Sequence, residues 1–106
     1  MRPSAEFNYD EALRAAISIK DDKIVELLIN YGADINIFDG YCLIAALRLN
    51  NFRIFELLIN AKINALFIEN AFNFISEETD PRIIEVFSNI LKIRFLVKNL
   101  ILTSYQ

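Results

Sequence analysis

The pentapeptide Glu26-Leu27-Leu28-Ile29-Asn30 returns as Glu56-Leu57-Leu58-Ile59-Asn60, an offset of 30 residues. Self-similarity of that period marks a chain that stacks one supersecondary unit on copies of itself. Other features keep the same offset. Leu13, Ala16 and Ile17 correspond to Leu43, Ala46 and Leu47, Asp21 to Asn51, and Ile24, Val25, Leu27 and Leu28 to Ile54, Phe55, Leu57 and Leu58. Each apolar set has the three- and four-residue spacing of one helix face. Asp21 and Asn51 are residue types that accept from the free N–H groups at a helix start. The unit is therefore a short helix, a turn and a second helix. A third unit follows at an offset of 29, with Asp80 in the place of Asn51 and Ile83-Ile84-Glu85-Val86-Phe87 in that of Ile54-Phe55-Glu56-Leu57-Leu58. On the same count Phe72 and Ile75 stand for Leu43 and Ala46. Asp80-Pro81 joins a cap to a proline at the first helical position, where the missing N–H costs nothing.

The connections are short, because the chain has only 2 glycines and 2 prolines. Gly32 sits where a left-handed helix stop is needed, and Asp39-Gly40 is a turn dipeptide. Asn8 or Asp10 caps the first helix, and the Asn8/Glu11 spacing suits a capping box. Residues 1–7 have no periodicity and read as a loose leader. At the other end the stripe Ile83, Phe87, Ile90, Leu91 gives way to Ile93, Leu96, Val97, Leu100, Ile101. The two stripes are out of phase by roughly one residue, about 100° of helix. This predicts a break between Ser88 and Arg94 and a separate C-terminal helix that covers the open end of the third unit, as a solenoid cap must.

Composition excludes several functions. With no histidine the chain cannot build a Ser-His or Cys-His nucleophile pair or a His-containing metal set. Cys42 reads as a small buried residue, and as a lone cysteine it points to a reducing compartment. Glu77, Glu78 and Asp80 read as a solvated turn whose charge suits the helix start that follows. No enzymatic activity, cofactor or metal is expected. A net charge of −3 gives no pull toward nucleic acid. Met1 to Glu6 lacks the apolar core of a secretory leader, and no apolar run approaches the ~18–20 residues of a membrane span. Lys92, Arg94 and Lys98 are split between two helix faces, so no membrane contact is expected either.

These residues resemble the ankyrin repeat. Leu27 to Asn36 looks like that family's helix-end segment, with Gly32-Ala33-Asp34-Ile35-Asn36 its most specific part. Asp39-Gly40 resembles the hairpin turn, and Leu13-Arg14-Ala15-Ala16 and Leu43-Ile44-Ala45-Ala46 the first helix. The resemblance covers residues 8–92. The Thr-Pro-Leu-His opening is replaced by Tyr41-Cys42-Leu43-Ile44. Units of 30 and 29 residues, against about 33 in the family, suggest trimmed hairpins, and Ala61-Lys62-Ile63-Asn64 reads as a shortened turn. The expected architecture is an all-α solenoid of three helix-turn-helix units, near 8–37, 38–66 and 67–92, closed by a capping helix and tail over 93–106.

The resemblance implies binding through hairpin tips and the exposed faces of the first helices. By position this singles out Phe38, Asp39 and Tyr41 in the first hairpin, Leu66, Phe67 and Glu69 in the second, and Arg48 on a helix face beside Arg14 and Ser18. Apolar tips are unusual. Either they form an exposed interaction patch, or trimmed hairpins fold back and bury Phe38 and Phe67 on neighbouring units. The expected function is a non-enzymatic protein-recognition module or adaptor in the cytoplasm, with a partner protein bound at those residues. The excess of Ile and Asn resembles coding from an AT-rich genome, such as that of a virus or intracellular microbe. For such a source the partner would be a host protein and the compartment the host cytosol. The alternative is a homodimer formed through the C-terminal helix or through an uncapped terminal unit, since Leu13 and Ile17 would need cover.

Overall fold

A computed structural model describes residues 8–104. Six α-helices follow one another: α1 (Tyr9–Ser18), α2 (Asp22–Asn30), α3 (Ile37–Arg48), α4 (Phe52–Asn60), α5 (Ala65–Ala71) and α6 (Pro81–Ser104), with a 3-10 turn at Phe72–Phe74 after α5. No strand occurs among the described residues. α1, α3 and α5 pack side by side as one layer, and α2, α4 and α6 as a second. The core lies between them and holds Leu13, Ile17, Val25, Leu43, Ile54, Phe55, Leu58, Ile83 and Phe87. Leu13 and Ile17 are fully buried as part of this core.

The caps that define the register take their expected places. Asp21 accepts from Ile24 N at 3.1 Å and Asn51 from Ile54 N at 3.0 Å. Asp80 accepts from Arg82 N at 2.8 Å. The Arg82 side chain also donates to this carboxylate and holds it below the usual carboxylate range. At the start Asn8 accepts from Asp10 N and Glu11 N, both at 3.1 Å.

The second turn is not shortened. Lys62 occupies the position of Gly32 and takes the same left-handed conformation, φ 64 against φ 95. Asn64 reproduces Asp34, each accepting the N–H two residues on at 2.9 Å. The departure comes after Asn64. No hairpin forms, because Asn64 caps α5 at once and Ala65 to Ala71 contains neither glycine nor proline. Ile68 and Ala71, rather than Phe72 and Ile75, fill the buried slots of the third first helix. Phe72 is left 46% exposed. The expected boundary at 66/67 therefore falls inside α5, and the stretch Ile75–Asp80 makes up the missing length.

The break expected between Ser88 and Arg94 is also absent. α6 is one helix from Pro81 to Ser104. It has no interior glycine or proline after its first residue, so i→i+4 hydrogen bonding carries it through the phase change. The first stripe packs, with Ile83 and Phe87 fully buried. The second turns away: Ile93, Leu96 and Leu100 are 61%, 51% and 69% exposed and do not cap the third unit. The expectations for residues 1–7, and for the side chains of Arg94, Phe95, Val97, Ile101 and Leu102, lie outside what is described.

Candidate functional site

The first hairpin is built by three consecutive left-handed residues at the start of α3. Phe38 (φ 57), Asp39 (φ 54) and Gly40 (φ 82) reverse the chain before the regular turns from Tyr41 onward. Gly40 takes this conformation freely, but for Phe38 and Asp39 it costs energy, about 1–2 kcal/mol per residue. The result lifts Phe38 outward, 43% exposed, beside the outer face of α1. There the Arg14 guanidinium lies 5.1 Å from the Phe38 ring and 5.4 Å from the Tyr41 ring. One residue of α1 thus holds two aromatic side chains of the next unit, by attraction between a cation and ring faces.

The row continues along α3. Ser18, Tyr41, Ala45, Arg48 and Leu49 line a shallow groove of about 210 Å³. Arg48 lies 5.4 Å over the ring of Phe74. Neither Arg14 nor Arg48 forms an ion pair among the described residues, unlike Arg53 and Arg82. Arg53 reaches Asp22 and Glu26 of α2 and Glu56 of its own helix at 3.8, 3.6 and 3.2 Å, on the opposite layer. Stacking occupies the faces of Arg14 and Arg48. The planar edges, which carry the N–H donors, meet no carboxylate among the described residues and have the geometry to bind one.

Of the residues singled out from sequence, Phe38, Tyr41 and Arg48 fall in this row, and Asp39 follows Phe38 in the hairpin. Tyr41 is half-buried, packed on the core. Leu66, Phe67 and Glu69 do not form a second tip, because they lie on α5. Leu66 is 67% exposed and Phe67 is half-buried against the core. Phe67 folds back as one of the two readings held, whereas Phe38 does not. Phe74 went unrecognised as the support of Arg48. Its distance from the repeat motif gave no signal.

Cys42 is fully buried. Burial first, and the carboxylates of Asp10 and Asp34 second, push its thiol up to about 11, so it is a packing residue rather than a nucleophile. Among the described residues no group of three or more Cys, Asp or Glu side chains is placed to hold a metal. No helix there is long and apolar enough to cross a membrane.

The ankyrin-repeat family model matches residues 10–40, the segment from α1 through α2 to the left-handed turn. Residues 10–40 are similar to one ankyrin repeat. The remainder continues the same all-α register as a short ankyrin-like array. No curated protein and no solved structure matches the chain. Ankyrin repeats are generally protein–protein interaction modules, and the Arg14–Tyr41–Arg48 row lies on the first-helix layer of the array.

Proposed function

We propose that this ankyrin-like chain is a non-enzymatic recognition module that binds a segment of a partner protein along its first-helix layer. The observation that carries the reading is the row of Phe38, Arg14, Tyr41 and Arg48. It couples exposed aromatic surface to two guanidinium groups that have stacking partners but no ion-pair partner among the described residues. Such a row suits a segment with one or two carboxylates and an apolar side chain for the groove at Tyr41, Ala45 and Leu49. Asp39, which follows Phe38 in the hairpin, and the exposed Leu66 and Glu69 of α5 are proposed as further contacts. Phe67 acts from beneath, holding the hairpin. Rings clamped by packing lose little freedom on binding, so a few anchors supply most of the affinity. The free, buried thiol suits a reducing compartment such as the cytoplasm.

Affinity capture with the full chain tests this. Tyr41→Ala and the pair Arg14→Gln/Arg48→Gln should each lose the proteins held by wild type. Equal capture by all three rejects the surface. A second reading is favoured by a separate observation: apolar side chains are exposed at both ends of the stack and along the free half of α6. On this reading the chain associates with itself, and a mass that stays monomeric at every concentration in light scattering rejects it.

A further inference from the structure

The second helices show how each unit meets its neighbours, because equivalent positions have different exposures. Ile24, Ile54 and Ile83 share one slot. Ile54 and Ile83 are fully buried, whereas Ile24 is 42% exposed. Leu27 and Tyr31 repeat the pattern, 51% and 66% exposed, while their equivalents Leu57 and Ala61 pack on the core and line the α2–α4 groove with Ile29. These slots face the preceding unit. Val25, Phe55 and Ile84 share a slot of the opposite sense. Val25 and Phe55 are fully buried, and Phe55 meets Phe87 of the next unit with ring centroids 5.2 Å apart. Ile84, in the last unit, is 38% exposed and lines a mostly apolar groove with Phe72, Ser88, Leu91 and, at its edge, Lys92.

The first unit thus presents the face that elsewhere receives the preceding unit, and the third presents the face that elsewhere receives the following one. We infer that copies of this chain stack head to tail, with Ile24, Leu27 and Tyr31 of one copy seated on the Phe72, Ile84 and Leu91 groove of the next. The occupant is argued from continuity: the equivalents of Ile24 (Ile54 and Ile83) and of Ile84 (Val25 and Phe55) are fully buried inside the molecule. A head-to-tail contact is heterologous and does not close on itself at two copies. This inference rests on the self-association reading and adds its geometry.

Sedimentation velocity on the full chain tests it. The mass of wild type should rise with concentration past the dimer. Ile24→Glu damages only the head and Ile84→Glu only the tail, and neither alters a buried side chain. Each alone should be monomeric, its associated fraction falling roughly tenfold or more where wild type is half associated, because stripping water from a charge among apolar side chains opposes contact. An equimolar mixture of the two should regain association but stop at the dimer, joined through the one intact head and the one intact tail. Leu27→Glu serves as a second head variant, to be matched with wild type in its urea midpoint. A mixture that stays monomeric, or a wild type that closes at the dimer, overturns the head-to-tail geometry. Association that survives both variants and is lost in Leu96→Glu assigns it to α6 instead, leaving self-association standing without this interface. A wild type that is monomeric throughout overturns both.

Discussion

The ring of Phe67 fills the space that a side chain on Gly40 would need: a Cβ there would lie 2.6 Å from Phe67 Cγ. A residue of the third unit is thereby locked over the hairpin of the second. Gly40→Ala adds a left-handed backbone penalty to an overpacked contact, together about 2–4 kcal/mol. In a Phe67→Ala background the ring is gone but the Cβ of residue 67 would still lie 2.8 Å away, so the cost of Gly40→Ala should fall without reaching the roughly 1 kcal/mol of the backbone alone. Urea unfolding of the four-member cycle measures the coupling, and additive costs would show that the two residues do not press on each other.

Gly32 offers the contrast, since nothing lies within 4 Å of a Cβ built on it. Gly32→Ala should cost about 1 kcal/mol, from conformation alone. Lys62 has the same conformation with a Cβ already in place, so Lys62→Gly should stabilise the chain by about 0.5–1 kcal/mol. A destabilised Lys62→Gly in thermal or urea unfolding would mean that the Lys62 side chain contributes more than its backbone strain costs.

The register was legible because it is local. Asp21, Asn51 and Asp80 cap helices by bonds two or three residues long, and the stripes of α2 and α4 follow from helical spacing. The third unit was misplaced because counting from Glu56 to Glu85 fixes only the second helices. The early start of α5 at Asn64 and the compensating stretch at Ile75–Asp80 cancel in that count. α6 was misread because a phase change in apolar pattern is a tertiary signal, whereas continuity of a helix is decided by its backbone. At the site, Tyr41 and Arg48 were legible from position. The placing of Phe67 on Gly40 and of Phe74 under Arg48 depends on contacts across units, which no spacing encodes.

Asn50 is one such cross-unit contact. Left-handed at φ 54, it donates through Nδ2 to Glu78 O at 3.0 Å and accepts from Asp80 N at 2.7 Å, tying the α3–α4 turn to the start of α6. Asn50→Gly keeps the backbone and removes both bonds, a loss of about 1–2 kcal/mol. Asn50→Ala should cost about 1 kcal/mol more through left-handed strain. Equal stability of the two variants would place the energy elsewhere.

Cys42 sets a pH limit. Its thiol ionises near 9.0 when free of its surroundings and at about 11 in the folded chain. Below pH 9 it is protonated in both states and contributes no slope. Between pH 9 and 11 the unfolded chain releases the proton first, so stability should fall with rising pH, by on the order of 2–3 kcal/mol at most. Comparison with Cys42→Ala cancels other groups that titrate in that range. The advantage of wild type should shrink from pH 9 to 11, and a constant difference would refute the shift.

The two halves of α6 should respond oppositely to substitution. Phe87 is fully buried between Phe55 and Phe72, with centroids 5.2 and 5.8 Å away. Phe87→Ala should cost about 3–5 kcal/mol through lost burial and a cavity. Leu96 is 51% exposed, about two and a half turns further along the same helix and past the packed stripe, so Leu96→Glu should change monomer stability by less than about 0.5 kcal/mol. Unfolding at a dilution that excludes association separates the two. A costly Leu96→Glu there would mean that the free half of α6 folds back onto the array and covers its third unit after all.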